Sequence, residues 1–170
     1  MTSNYKTTKY SGISSLYFHK LITEIIKIYE LDKKNCKILD YGCGEKVLSK
    51  KIMNVLNYDI DPAYNEVEDL SNVEFDIVVI NHVLMYISKE KIENLFKFFY
   101  KKNKDIKIIF GLGTDNFFIN TVAKIIYNKN AYRGTKISYQ NQIYLIKKYF
   151  NIIKEKKVWG ATHICLAEFK

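Results

Sequence analysis

Hydrophobic spacing along the chain changes period several times, and each change marks an element. From Phe18, apolar residues recur at Leu21, Ile22, Ile25, Ile26 and Tyr29, steps of three and four that share one helical face. "KILDY" is a short apolar run, read as a buried strand, and "EKVLSKKIMN" behind it reads as a helix entered through a glycine turn. "VLNYD" and "FDIVVIN" are the next two strands, the latter apolar almost throughout, as suits a strand covered on both faces. "KEKIENLFKFFYKK" places Ile92, Leu95, Phe96 and Phe99 on one helical side, with Ser88 as its N-cap. "IKIIFGLG" is a fourth strand. Helical segments follow around Phe117 to Tyr127 and Tyr139 to Phe150, separated by "NKNAYRGTKIS". The last two runs, "NIIKEKKVW" and "HICLAEF", flank Gly160 and read as an antiparallel hairpin.

Alternating β and α with a terminal hairpin predicts an α/β fold: a Rossmann-like, mostly parallel sheet with helices on both faces. Only Pro62 to Glu74 separate the second strand from the third, close to the ~12-residue minimum for a parallel crossover. A full helix plus another strand does not fit there. "NEVEDL" supplies at most a rudimentary edge strand, so the expected sheet has about six strands.

Length and composition then narrow the class. The 170 residues suit one domain, 1–170, with an N-terminal helical segment over 1–34 and an insertion over 112–138. The start, "MTSNYKTTKY", has no apolar core behind its charges, and no run of ~18 apolar residues occurs. The expectation is a cytoplasmic protein without a membrane span. Cys36, Cys43 and Cys165 show no C-x-x-C spacing, so no metal site is expected, and Cys43 reads as a small residue beside glycines rather than a nucleophile. The net charge of +9 raises nucleic acid as a partner, but the lysines are scattered, which favours a solvated surface.

In an open α/β sheet, ligands bind beyond the carboxyl ends of the strands. That gathers Gly42 to Lys46, Asp59, Asn81 to His82 and Gly111 to Asp115 around one crevice. Glycines let a sugar approach the backbone, and an acid at the end of the second strand accepts hydrogen bonds from both ribose hydroxyls. Asp59 follows Asp40 at nearly the ~20-residue interval between a glycine loop and a ribose acid. A dinucleotide site would need a third glycine, and Gly42-x-Gly44 runs on to Val47 instead. Singly, Asp40 also reads as a turn cap and Asp59 as a solvated strand end; their joint placement favours a ligand.

These residues carry a family resemblance. "ILDYGCGEK" resembles the first motif of class I S-adenosylmethionine (SAM)-dependent methyltransferases, "YDID" the second, and "FDIVVINHVLMYI" is similar to the fourth strand and following turn of their small-molecule, type 11 branch. The likeness spans roughly residues 37 to 113. It implies SAM as cofactor, with Asp40, Gly42, Cys43 and Gly44 near the methionine portion, Asp59 and Ile60 on the nucleoside side, and Asn81 and His82 near the sulfonium. Lys46 stands where the family commonly has glycine. It pairs with the cofactor's carboxylate, swings into solvent beside Glu45, or blocks the site, and the sequence leaves these open. The helix that usually walls the adenine after Asp59 is missing, with Tyr64 or Leu70 as the expected substitute.

Methyl transfer from a sulfonium is an in-line displacement in which positioning supplies much of the rate and a base is optional. His82, just past a strand end, is the candidate base, whereas His19 and His163 read as structural. Tyr10, Tyr17, Phe117, Tyr132 and Arg133 are the expected acceptor side. "NHVL" replaces the D/N-P-P-Y motif of amino-group methylation on nucleic acids, which favours a small molecule or glycan precursor. A non-catalytic, methyltransferase-like partner subunit and an RNA methyltransferase are the alternatives, with a homodimer or heteromeric partner left open.

Overall fold

A computed structural model of the chain describes residues 13–114 and 134–170. Its helix α1 spans Ile13–Tyr29, followed by β1 (Ile38–Tyr41), β2 (Val55–Tyr58) and β3 (Ile77–Asn81). Helix α2 (Lys89–Lys102), β4 (Lys107–Gly113), α3 (Tyr139–Tyr149), β5 (Phe150–Val158) and β6 (Thr162–Phe169) complete the described elements. The six strands form one sheet in the order β2-β1-β3-β4-β6-β5. β1 pairs in parallel with β2 and β3, and β3 with β4, while β6 runs antiparallel between β4 and β5.

The near-continuous apolar runs feed two cores, because successive strand residues point to opposite faces. Val78, Ile80, Ile108, Phe110, Cys165 and Ala167 pack on one face with Ile92, Phe96 and Phe99 of α2 and Leu145 and Ile146 of α3. Ile77, Val79, Ile109, Ile164 and Leu166 pack on the other with Leu21, Ile22, Ile25 and Ile26 of α1. Each fully buried Val, Leu, Ile or Phe among them contributes roughly 1.5–3 kcal/mol relative to exposure. Ser88 caps α2 as expected, its side chain accepting from the Lys91 N–H. No helix among the described residues is long and apolar enough to cross a membrane.

Three local expectations need correction. The segment after Gly44 forms irregular turns instead of a helix, with Lys46 N–H bonded to the Cys43 carbonyl and Lys51 N–H to that of Leu48. Lys46 itself has φ +58°, a left-handed conformation that breaks helical continuation. "NEVEDL" forms no strand; Glu66 alone exchanges backbone and side-chain bonds with Asn57 and so covers the β2 edge. Leu70 is buried with Phe75 and Phe99 and is therefore no wall for a ligand. The helix expected near Phe117 lies outside the described residues.

At the far edge, a bulge between Ile152 and Lys154 shifts the β5–β6 register by one residue. Lys154, Lys156 and Lys157 line this outer strand, charges that discourage pairing with another sheet.

Candidate functional site

The carboxyl ends of β1, β2 and β3 bring the glycine turn, Asp59 and Asn81 together, as the parallel pairing of those strands requires. Gly42 N–H and Cys43 N–H both donate to the Tyr58 carbonyl, at 2.7 and 3.2 Å, which folds the turn over the end of β2. Gly42 has φ +82°, and a Cβ there would lie 2.2 Å from Val83 Cγ2, so both backbone freedom and space demand glycine. Gly44 also has positive φ, but nothing lies within 4 Å of where its Cβ would be. The turn is tight against the protein at Gly42 and open at Gly44.

Asp40 occupies the α1 face of β1, two residues from Ile38, and is only 6% exposed. No hydrogen bond to its carboxylate exists among the described residues. Burial pushes that carboxyl up to about 7, and the nearby charge of Asp59 adds to the effect. Water is largely removed from this acid, yet no cation or donor among the described residues replaces it, an arrangement that costs stability unless a partner is supplied.

Asp59 is partly exposed and its carboxylate is engaged. Oδ2 accepts from Gly44 N–H at 2.9 Å and Oδ1 from Asp61 N–H at 3.1 Å. Ile60 beside it is 86% exposed, an apolar surface at the position expected to meet the nucleoside. Lys46 does not swing free into solvent beside Glu45. Its Nζ pairs with Glu66 Oε1 at 3.0 Å, linking the glycine turn to the loop after β2. Cys43 is buried beside the Tyr64 carbonyl, and burial pushes its thiol up to about 12, the environment of an inert thiol.

Asn81 and His82 follow at the end of β3. Asn81 Oδ1 is buried without a hydrogen-bond partner among the described residues, and its side chain fills the space beside Gly111, whose added Cβ would lie 2.1 Å from that oxygen. His82 has φ +57°. Its backbone N–H donates to the Gly111 carbonyl, and its Nε2 lies 2.8 Å from Thr162 Oγ1. Burial pushes the imidazole down to about 4, leaving it neutral at pH 7. Tyr17 of α1 bonds the same Thr162 hydroxyl and places its ring 5.7 Å from that of Trp159. The structure thus joins His82 and Tyr17 through Thr162, a fully buried residue that sequence spacing did not reveal. Tyr10, Phe117, Tyr132 and Arg133 lie outside the described residues.

Two open depressions, about 830 and 390 Å³, lie at the opposite, amino end of the strands, lined by Asn35, Cys36 and Asp76 among others. Neither shares residues with the carboxyl-end cluster. They contain no convergence of unpaired buried polar groups comparable to Asp40 and Asn81.

No family model and no curated protein matches the sequence. Solved structures do. Magnesium protoporphyrin IX methyltransferase (ChlM) from Synechocystis PCC 6803, with bound SAH, aligns over 98% of this chain and 91% of its own at 14% identity, TM-score 0.62. The N-methyltransferase NodS from Bradyrhizobium japonicum, also with SAH, covers 90% of this chain and 87% of its own at 11% identity, TM-score 0.62. A TehB-like SAM-dependent methyltransferase from Corynebacterium glutamicum covers 92% and 96% at 17% identity, TM-score 0.58. The fold is that of the class I SAM-dependent methyltransferases. At these identities the likeness concerns architecture, and the residues of the crevice must carry any statement about chemistry.

Proposed function

We propose that the protein is a SAM-dependent methyltransferase acting on a small molecule. The observation that carries this reading is the buried carboxylate of Asp40, which has no hydrogen-bond partner among the described residues, at the rim of the glycine turn. SAM presents an ammonium group, a ribose diol and an apolar-faced adenine. Asp40 would receive the ammonium, Asp59 and the open Gly44 turn the ribose, and exposed Ile60 the base. The buried Asn81 oxygen has capacity to accept a further hydrogen bond at the same strand ends. When bound, the cofactor supplies an electrophilic methyl on a sulfonium.

The chain's own part is to orient the two reactants and exclude water. His82 is neutral and held by Thr162, so it serves as a fixed hydrogen-bonding group and is a weak base at pH 7. His82→Gln retains most turnover if positioning is its role; a loss of about 10²-fold or more in kcat would instead assign it proton transfer. The acceptor would approach from the side of Tyr17 and Thr162. The neighbour ChlM, named for its substrate magnesium protoporphyrin IX, supports this substrate class.

One observation favours a second reading, a binding subunit without catalysis: the Asp59 carboxylate is already satisfied by Gly44 and Asp61, and Lys46 is tied to Glu66 across the turn. Calorimetric titration with SAM and SAH separates the two. Binding by the wild-type chain, lost in Asp40→Asn, agrees with the enzyme. Binding only in Lys46→Gly identifies a site closed by the ion pair, and no binding in either protein refutes the cofactor assignment.

A further inference from the structure

We propose that Glu155, His163 and Cys165 form a binding site for one zinc-type divalent cation on the hairpin β5–β6. His163 Nε2 lies 3.2 Å from Glu155 Oε2 and 3.4 Å from Cys165 Sγ. All three donor atoms fall within 4.8 Å of one another. With zinc–nitrogen and zinc–oxygen bonds of about 2.0–2.1 Å and zinc–sulfur of about 2.3 Å, a tetrahedral centre needs N···O near ~3.3 Å and N···S near ~3.5 Å. Two edges are already at coordinating length. The third closes by turning the Glu155 carboxylate, whose side chain is 62% exposed.

Two features beyond proximity point the same way. The bulge between Ile152 and Lys154 sets Glu155 opposite Cys165. Continuing the Phe150–Ile152 register without it would bring Lys154 to that position, an ammonium in place of a carboxylate. A bulge that re-aims a side chain is a device for placing a functional group. Tyr139 of α3 lies 2.8 Å from His163 Nδ1, so the second ring nitrogen has its own partner and Nε2 is left for the metal. Sulfur, nitrogen and carboxylate oxygen together suit zinc or cobalt over magnesium or calcium. Metal binding displaces the Cys165 thiol proton to solvent, and the two anionic donors so formed balance a divalent charge and leave a fourth position to water.

The site is separate from the proposed cofactor crevice. Cys165 packs on the α2–α3 face, whereas Asp40 and Thr162 share the α1 face with Ile38 and Ile164. The inference goes beyond the methyltransferase reading and does not depend on it.

The test uses the full chain, stripped with chelator, titrated with Zn²⁺ by calorimetry and with Co²⁺ by absorption. The expected result is one equivalent of metal and a thiolate-to-cobalt charge-transfer band that Cys165→Ser abolishes. Glu155→Gln, at an exposed position compatible with the fold, weakens zinc binding about tenfold or more, and Tyr139→Phe does so about tenfold. His163→Gln removes binding, while Cys36→Ser changes nothing. At a fixed zinc concentration the melting temperature of the wild type rises more than that of Glu155→Gln. Absence of binding overturns the site, as does binding that survives Cys165→Ser or Glu155→Gln unchanged, which would leave only a hydrogen-bonded cluster.

Discussion

Replacing Asp40 by asparagine should make the unliganded protein more stable at alkaline pH while removing its proposed cofactor. The carboxyl is held at about 7 against an ordinary value of 3.8, chiefly by burial and secondarily by Asp59. Because the folded pKa lies above the unfolded one, the folded state binds more protons between these values. The neutral acid therefore costs little below pH ~4, and the penalty grows as pH rises through 7. Integrated over the full shift it reaches about 4 kcal/mol, of which about 2–3 kcal/mol develops between pH 5 and pH 8. The asparagine amide leaves its own polar atoms unpaired, at about 1–3 kcal/mol independent of pH. Urea unfolding of both proteins at pH 5 and pH 8 isolates the pH-dependent part, because other titrating groups are common to both. Asp40→Asn should gain about 2–3 kcal/mol relative to wild type on going from pH 5 to pH 8. An unchanged difference across that range would refute the claim that a buried, unpartnered carboxylate sits at the turn. SAM should reverse the trend in wild type, since its ammonium favours the ionised acid and its affinity should rise with pH up to about 7.

Two further predictions concern packing and charge. Gly111→Ala forces its Cβ to within 2.1 Å of where Asn81 Oδ1 now lies, so it should cost about 1–3 kcal/mol and weaken SAM binding; a variant unchanged in denaturation and titration would show that Gly111 does not fix the Asn81 rotamer. Glu24, 4% exposed and paired with Lys20 at 2.9 Å and with Lys156, is held down to about 2, mainly by its bond from Lys156. Its folded pKa lies below the ordinary 4.5, so this contribution is present above pH ~4.5 and fades as pH falls toward 2. Both lysines are about half exposed and screened, which limits the loss in Glu24→Gln at pH 7 to about 1–2 kcal/mol, shrinking between pH 5 and pH 2 in denaturant melts.

The strands and helices were legible where burial is one-sided or complete. α1 and α2 announce themselves by three-and-four spacing, and β3 by an unbroken apolar run that the structure divides between two cores. The short crossover also foretold the six-stranded sheet. "EKVLSKKIMN" misled because its composition is helical while its geometry is decided by partners elsewhere: Asp59 holds Gly44, Glu66 holds Lys46, and Lys46 turns left-handed between them. Local propensity is a weak prior against such tertiary bonds. At the crevice, Asp40, Asp59 and Asn81 could be placed at strand ends from the sequence, but the orphaned state of Asp40 could not. Thr162 stays invisible in the sequence because its link to His82 spans 80 residues. Glu155 stays hidden too, since one bulge decides which β5 side chain faces Cys165.

The position of β6 has a consequence for how the molecule comes into being. β4 is buried almost throughout and needs a neighbour on each side, β3 early in the chain and β6 at residues Thr162–Phe169. During synthesis its second flank stays unpaired until β6 has emerged, a loop that is slow to close and a sticky edge meanwhile. Pulsed hydrogen exchange during refolding should find the amides shared by β4 and β6 protected together. Early protection of that flank of β4 would show that the sheet grows by another order.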